Sequence, residues 1–174
     1  MTVRPADPGD AVAIARIYNR IVRDTLVTFT TVEKPPEAIA AEIAERKGRY
    51  FVAEAGGAVE GLAYFGAFRS GPGYKHTAEL TIYLSAGAQG RGLGRALMQR
   101  LEQAAADSGI RVLVAGISGA NPGAQAFHAA LGFTDAGRLP EAGYKHGQWL
   151  DLVLMQKNLA APRKSGPDSS GKDA

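Results

Sequence analysis

The stretch from Thr77 to Ile117 constrains the fold more than any other part of the chain. TAELTIYL (Thr77–Leu84) reads as a strand, and Ser85–Arg91 is a Gly/Ala/Gln turn. Leu93, Leu97 and Leu101 then form the stripe of an amphipathic helix that stops at Gly109. Val112–Ile117 (VLVAGI) is a continuous apolar run, the pattern of a strand covered on both faces. Strand, helix and strand in this order make a right-handed crossover between parallel neighbours. Upstream, Tyr50–Ala55 and Val59–Phe68 flank Gly56-Gly57, a two-residue turn that forces an antiparallel pair. One sheet must therefore hold both kinds of pairing.

The other elements fit around that sheet. Thr2–Pro5 is a short strand candidate. Asp7-Pro8-Gly9-Asp10 is a helix start, with Asp7 as cap and Pro8 in the first helical position. Ile14, Ile17, Tyr18, Ile21 and Val22 follow at helical spacing. Asp24–Thr31 is a loop, and Pro35-Pro36 opens a second helix to about Lys47. Arg69–His76 is another loop. Asn121-Pro122 caps a helix with Ala124, Phe127, His128 and Leu131 on one face. Phe133–Leu139 and Leu150–Asn158 are the last strand candidates, with Tyr144–Trp149 between them. The expectation is an α/β (α+β) layered domain over residues 1–159. Residues 160–174 (AAPRKSGPDSSGKDA) have no large apolar side chain and are expected to be a disordered tail.

Composition narrows the function. A chain of 174 residues is one domain of ordinary size. With no cysteine it has no thiolate nucleophile and no Cys-based metal site. Three scattered histidines give no ligand spacing, so no metal is expected. The net charge of +3 permits an anionic ligand, but no basic run with interleaved aromatics points to nucleic acid. No apolar run reaches the ~18 residues of a membrane span. Met1–Asp10 has no basic-then-apolar leader pattern, so a cytoplasmic protein is expected. Glycine is the excess: 22 residues, nearly twice the usual ~7%.

Three of those glycines stand in Gln89-Gly90-Arg91-Gly92-Leu93-Gly94-Arg95, between strand and helix. Glycines let backbone amides approach a ligand, and a helix start offers free N–H groups with positive partial charge. Phosphate is the usual guest, and Arg91 and Arg95 add full charges. The bland alternative is a ligand-free strand-to-helix turn. GxxxxGK[ST] is absent, and Arg95 stands where GxGxxG needs its last glycine.

Gln89, Gly92 and Gly94 do fit Gln/Arg-x-x-Gly-x-Gly/Ala, the pyrophosphate signature of the GNAT superfamily of N-acetyltransferases. The chain from about 2 to 158 resembles the branch that acetylates phosphinothricin, methionine sulfoximine and methionine sulfone. The resemblance is carried by Phe68–Leu84, Ile17-Tyr18-Asn19, Phe51-Val52-Ala53-Glu54, Gly66-Ala67-Phe68-Arg69, Phe127-His128, Leu131-Gly132-Phe133 and Gly143–Gln156. It implies acetyl-CoA as co-substrate and a mixed, mostly antiparallel sheet flanked by helices and splayed at the acetyl-CoA site. A homodimer and a small amino-acid substrate are implied as well.

Amide formation from a thioester needs a base for the amine, donors for the oxyanion and an acid for the thiolate. Glu79 interrupts an uncharged strand, sharing a face with Thr77, Thr81 and Tyr83, while Ala78, Leu80, Ile82 and Leu84 take the other. A plain solvent-facing glutamate is the alternative; the resemblance makes Glu79 the base. His128 is a core side chain by pattern, and the resemblance places it near the cofactor sulfur, as thiolate acid or as helper in deprotonation. Asn121 is a helix cap by pattern, and the resemblance adds a contact to the pantetheine or acetyl region. Ile82, Tyr83 and Leu84 are expected to pair their backbone with pantetheine, with an amide near Leu84 for the oxyanion.

Gln89 to Arg95 would hold the pyrophosphate. Arg69, Tyr74 and Phe29 are the expected substrate contacts, and Lys145 and Trp149 are expected near the site mouth or a dimer contact. One position departs from the branch pattern. Gly71 stands where phosphinothricin-resistance enzymes carry a second basic residue, which favours substrates with one anionic group. Without cysteine no acetyl-cysteine can form, which agrees with direct attack by the amine. A protein or polyamine N-acetyltransferase and a non-catalytic acetyl-CoA sensor remain as alternatives.

Overall fold

A computed structural model describes residues 1–159. The expected tail, 160–174, lies outside the described residues.

Strand β1 (Thr2–Pro5) leads into a single 3-10 turn, Pro8–Asp10, which runs into helix α1 (Ala11–Asp24). The start is a reciprocal cap: Gly9 N–H donates to Asp7 Oδ1 at 2.9 Å and Asp7 N–H to Asp10 Oδ2 at 2.8 Å. Helix α2 (Pro36–Glu45) follows, then β2 (Tyr50–Ala55), β3 (Ala58–Ala67) and β4 (Thr77–Leu84). Gly56 and Gly57 both have positive φ, 59° and 79°, as the tight hairpin requires. Helix α3 (Leu93–Asp107), β5 (Val112–Ser118), α4 (Pro122–Ala130), β6 (Thr134–Lys145) and β7 (Gln148–Asn158) complete the described residues.

The seven strands form one sheet in the order β1-β2-β3-β4-β5-β7-β6. Among the described residues only β4 and β5 pair in parallel, joined by α3 as the crossover predicts. Alternation distributes two cores. Phe51, Ala53, Ala63, Phe65, Ala78 and Leu80 point to the α3 side and meet Leu93, Leu97, Met98 and Leu101. Tyr50, Val52 and Leu62 point the other way and meet Ile14, Ile17, Ile39 and Ile43 of α1 and α2. Helices thus cover both faces.

The final strands differ from the pattern expected from the sequence. Phe133–Leu139 with a separate Tyr144–Trp149 connection is corrected to one long hairpin, in which β6 runs on to Lys145 and only His146-Gly147 turns. Pro140, and Glu141 at φ 53°, break the alternation that marks a strand. An irregularity between Leu139 and Gly143 absorbs the extra residues. Asp151 fastens it, accepting from Glu141 N–H at 3.0 Å and from Arg138 Nη1 at 2.7 Å.

Candidate active site

The parallel pairing of β4 and β5 stops early. Thr77 to Leu80 pair with Val112 to Ala115, and there the register ends. Beyond it Thr81–Leu84 still pair with β3, and Gly116–Ser118 still pair with β7. Each half of the sheet keeps its own hydrogen bonds while the seam between them opens. A cleft of about 1200 Å³ occupies the seam, lined by Thr81–Leu84, Ala115–Ile117, Asn121 and His128. The unpaired edges of β4 and β5 offer backbone donors and acceptors to an extended ligand, as an added strand would use them.

The glycine-rich turn closes one end. Gln89, Gly90, Gly92, Gly94 and Arg95 all line the cleft. Gly92 has φ +81° at the cap position of α3, and no side chain caps that end. The first amide to find a partner within the helix is Ala96, which donates to Gly92 O at 3.1 Å. Leu93, Gly94 and Arg95 therefore hold their N–H groups free of helical acceptors, at the positive end of a 15-residue helix. Leu93 is a core side chain at 1% exposure, so only its backbone is available to a ligand. Arg95 lines the cleft; Arg91 is exposed and not part of its lining. Gly94 has a packing role too, since a Cβ there would stand 3.2 Å from Phe127 Cζ. A side chain at position 94 would press on the Phe127 ring, so glycine favours the close approach of α3 and α4.

Glu79 lies in register with Gly66 on β3 and Val114 on β5, on the face turned to α1 and α2. Its Oε1 rests against Gly116, where a Cβ would come within 3.0 Å. The residue keeps solvent access, yet the surrounding protein strips part of the carboxylate's water. That desolvation raises its pKa, and the Arg69 charge acts in the opposite direction without cancelling it. Arg69 stacks its guanidinium on Phe68, 5.0 Å from the ring centroid. Tyr74 meets the same ring edge-on at 6.1 Å. Phe68 thus gathers Arg69 and Tyr74 at the Glu79 end of β4. Gly71 lies beneath Tyr74. A Cβ at position 71 would stand 3.3 Å from Tyr74 Cδ2, so a larger residue there would displace the phenol.

His128 lines the cleft from the opposite, α3-side layer, edge-on to Phe127 and Phe133 at 5.2 and 5.1 Å. Glu79 and His128 are therefore not side by side; they flank the seam from different faces. His128 is buried, and burial lowers its pKa. Its Nδ1 is 2.8 Å from Ala124 O, which assigns the ring proton to Nδ1, while the buried Nε2 has no protein partner. The neutral ring presents a lone pair at Nε2. Asn121 caps α4 as expected, its Oδ1 accepting from Ala124 N–H at 3.1 Å, and it also lines the cleft.

Phe29 sits in the loop after α1 and packs on Gly143 of β6. Lys145 is not at an exposed mouth: it is 1% exposed and donates from Nζ to Thr28 O at 2.9 Å. Trp149 is exposed and stacks with Tyr144 at 4.8 Å.

Several cleft residues carry no signal in the sequence. Arg16 and Arg20, one turn apart on α1, line the cleft but read as an ordinary solvated face. Gly116 had a legible signal, a glycine inside an apolar strand, which marks close approach of another group. Among the described residues no group of side chains can hold a metal ion, and no helix is long and apolar enough to cross a membrane.

A mixed sheet split between two parallel strands, with a glycine-rich helix start at the split, defines a cleft for an extended ligand with a phosphate end. The chain belongs to the acetyltransferase (GNAT) family, whose model matches residues 14–133. It is 40% identical over 168 residues to the L-methionine sulfoximine/L-methionine sulfone acetyltransferase of Salmonella typhimurium, covering 93% of this chain and 98% of that protein. It is 34% identical to the phosphinothricin N-acetyltransferase of Streptomyces viridochromogenes, covering 95% of this chain and 91% of that one. The solved structure of yncA from Salmonella typhimurium with its cofactor acetyl-CoA superposes with a TM-score of 0.89 at 38% identity, covering 97% and 98% of the two chains.

Proposed function

We propose that this protein transfers the acetyl group of acetyl-CoA directly to the α-amino group of a small amino acid or analogue with a single anionic group. The observation that carries this reading is a cleft that joins an anion-binding helix start to two unpaired strand edges, with the partly desolvated Glu79 carboxylate outside its lining but against Gly116 at its edge. The full-length similarity to acetyltransferases of amino-acid analogues supports it.

Acetyl-CoA, when bound, supplies an activated acyl carbon and a thiolate leaving group. The amides of Leu93, Gly94 and Arg95 and the Arg95 side chain hold its pyrophosphate. The edge of Ile82, Tyr83 and Leu84 pairs with the pantetheine amides, and an N–H at Leu84 meets the oxygen that gains charge. Asn121 contributes its side-chain NH2 to the same arm, since its oxygen is committed to the helix cap. Glu79 takes the proton from the substrate ammonium, and its raised pKa makes the carboxylate a stronger base. Arg69 and Tyr74 bind the substrate's anionic end, and Phe29 walls its side chain. With its proton on Nδ1, the open Nε2 of His128 would take the proton that the attacking amine loses as the C–N bond forms, and could return it to the departing thiolate. In this role it helps deprotonation more readily than it donates.

Turnover of a substrate panel tests the reading. Methionine sulfone and methionine sulfoximine should release CoA with kcat/KM at least about tenfold above phosphinothricin, because the loop that carries Arg69 has Gly71 in place of a second cation. Polyamines and peptide N-termini should be poor. No turnover with any amine would leave acetyl-CoA binding without catalysis.

The protein is read as a homodimer working in the cytoplasm, where acetyl-CoA is available. Leu139, Tyr144 and Trp149 are 46%, 57% and 64% exposed on the β6–β7 hairpin, which supports a second copy there. Light scattering after gel filtration should give twice the chain mass. Trp149→Glu should halve it, and a wild-type monomer at micromolar concentration would remove the dimer.

A further inference from the structure

We infer that Lys145 is a positioning residue that latches the loop after α1 in its substrate-ready position, and thereby sets affinity for the amine. The inference rests on the acetyltransferase reading, and on Phe29 as the substrate wall within it.

The loop is pinned at both ends by α1. At the near end Thr25 Oγ1 donates to Ile21 O at 2.7 Å. At the far end Asn19 makes two reciprocal bonds with the Lys34 backbone, both 2.8 Å. Its middle has no regular structure and needs another anchor. Lys145 supplies it across 117 residues of sequence, Nζ to Thr28 O. The Thr28 side chain lies beside the Tyr83 phenol of β4. The next residue, Phe29, lies flat against Gly143, two residues before Lys145 on the same face of β6. The latch therefore joins the substrate loop, the cofactor strand β4 and the β6–β7 hairpin.

The chemistry is unusual enough to require a reason. A lysine at 1% exposure ordinarily finds a carboxylate. None lies within 4 Å of Lys145 among the described residues, whose ion pairs are elsewhere. Packing alone would favour an apolar side chain of similar length. What an apolar side chain lacks is the donor for the Thr28 carbonyl. Thr28 of the loop lies against Nζ, so release of the loop would open both groups to water.

Lys145→Met keeps length and removes the donor. It should raise the KM of the amine about tenfold or more, leaving the KM of acetyl-CoA and kcat within about twofold. Amide hydrogen exchange should accelerate in residues 25–31 and stay unchanged in α3. Lys145→Arg should restore most of the amine KM. Gly143→Ala perturbs the same latch without touching Lys145, since its Cβ would stand 2.6 Å from Phe29 Cγ, and should give the same KM pattern. It tests the Phe29 wall that the latch holds; if Lys145→Met does not fold, Lys145→Gln, which shortens the reach to Thr28 O, decides by the same KM split. An unchanged amine KM in a folded variant, or equal rises for both substrates, would overturn the latch. A wild type that acetylates no amine would defeat the acetyltransferase reading instead. The exchange pattern of Lys145→Met would still decide whether the loop is held.

Discussion

Glu79→Gln should lose roughly 10²–10⁴ in kcat/KM for the amine at neutral pH, the usual contribution of a positioned base. The loss should shrink as pH rises past the pKa of the substrate ammonium, because free amine then needs no base. The sign in the wild type follows from the carboxyl's environment. Desolvation raises the Glu79 pKa, so the active carboxylate is depleted earlier as pH falls, and the acid limb should lie above the ordinary carboxylate range. Arg69 opposes that rise. Arg69→Gln should therefore move the acid limb to still higher pH, besides raising the amine KM. A pH-rate profile for each variant checks both statements. Equal rates for Glu79→Gln and wild type at neutral pH would take Glu79 out of its role.

Gly92→Val should raise the KM for acetyl-CoA by roughly ten- to a hundredfold, with the KM for the amine nearly unchanged. A β-branched residue does not tolerate φ +81°, and forcing it there costs of order 1–3 kcal/mol. The loop relieves that cost by turning away, which misaligns the amides of Leu93, Gly94 and Arg95. The melting temperature should fall by only a few degrees, since no core side chain moves. Gly94→Val should behave differently: its side chain meets the Phe127 ring, so α4 shifts, carrying Asn121 and His128 with it. Titration of acetyl-CoA by calorimetry separates the two variants from wild type. Wild-type affinity in Gly92→Val would contradict the pyrophosphate assignment.

Much of this architecture was legible because local chemistry and global topology agree. Gly56-Gly57 demanded a hairpin, and the Thr77–Ile117 stretch demanded a parallel crossover; both are present. The alternation around Glu79 placed it on the correct face, and Asn121-Pro122 capped its helix as its residue types require. The full length of β6 was hidden for two reasons. The strand is exposed along most of its length, so no apolar alternation marks it, and Pro140 and Glu141 speak locally for a turn. The role of Lys145 was illegible for a different reason. Its partner is a backbone carbonyl distant in sequence, and backbone carbonyls leave no trace in residue identity. Arg16 and Arg20 show the same limit, because a helix face toward a cleft and one toward bulk water use the same side chains.

Direct acetyl transfer to a small amine is tested most squarely by following thiol and product together. Wild-type protein is mixed with acetyl-CoA, with and without methionine sulfone, and free thiol and product are followed together by absorbance and mass spectrometry. CoA should appear only when the amine is present, in one-to-one ratio with the N-acetylated amino acid, and no acetyl group should remain on the protein. Release of CoA without amine, or an acetylated protein intermediate that forms and decays at the turnover rate, would contradict the account.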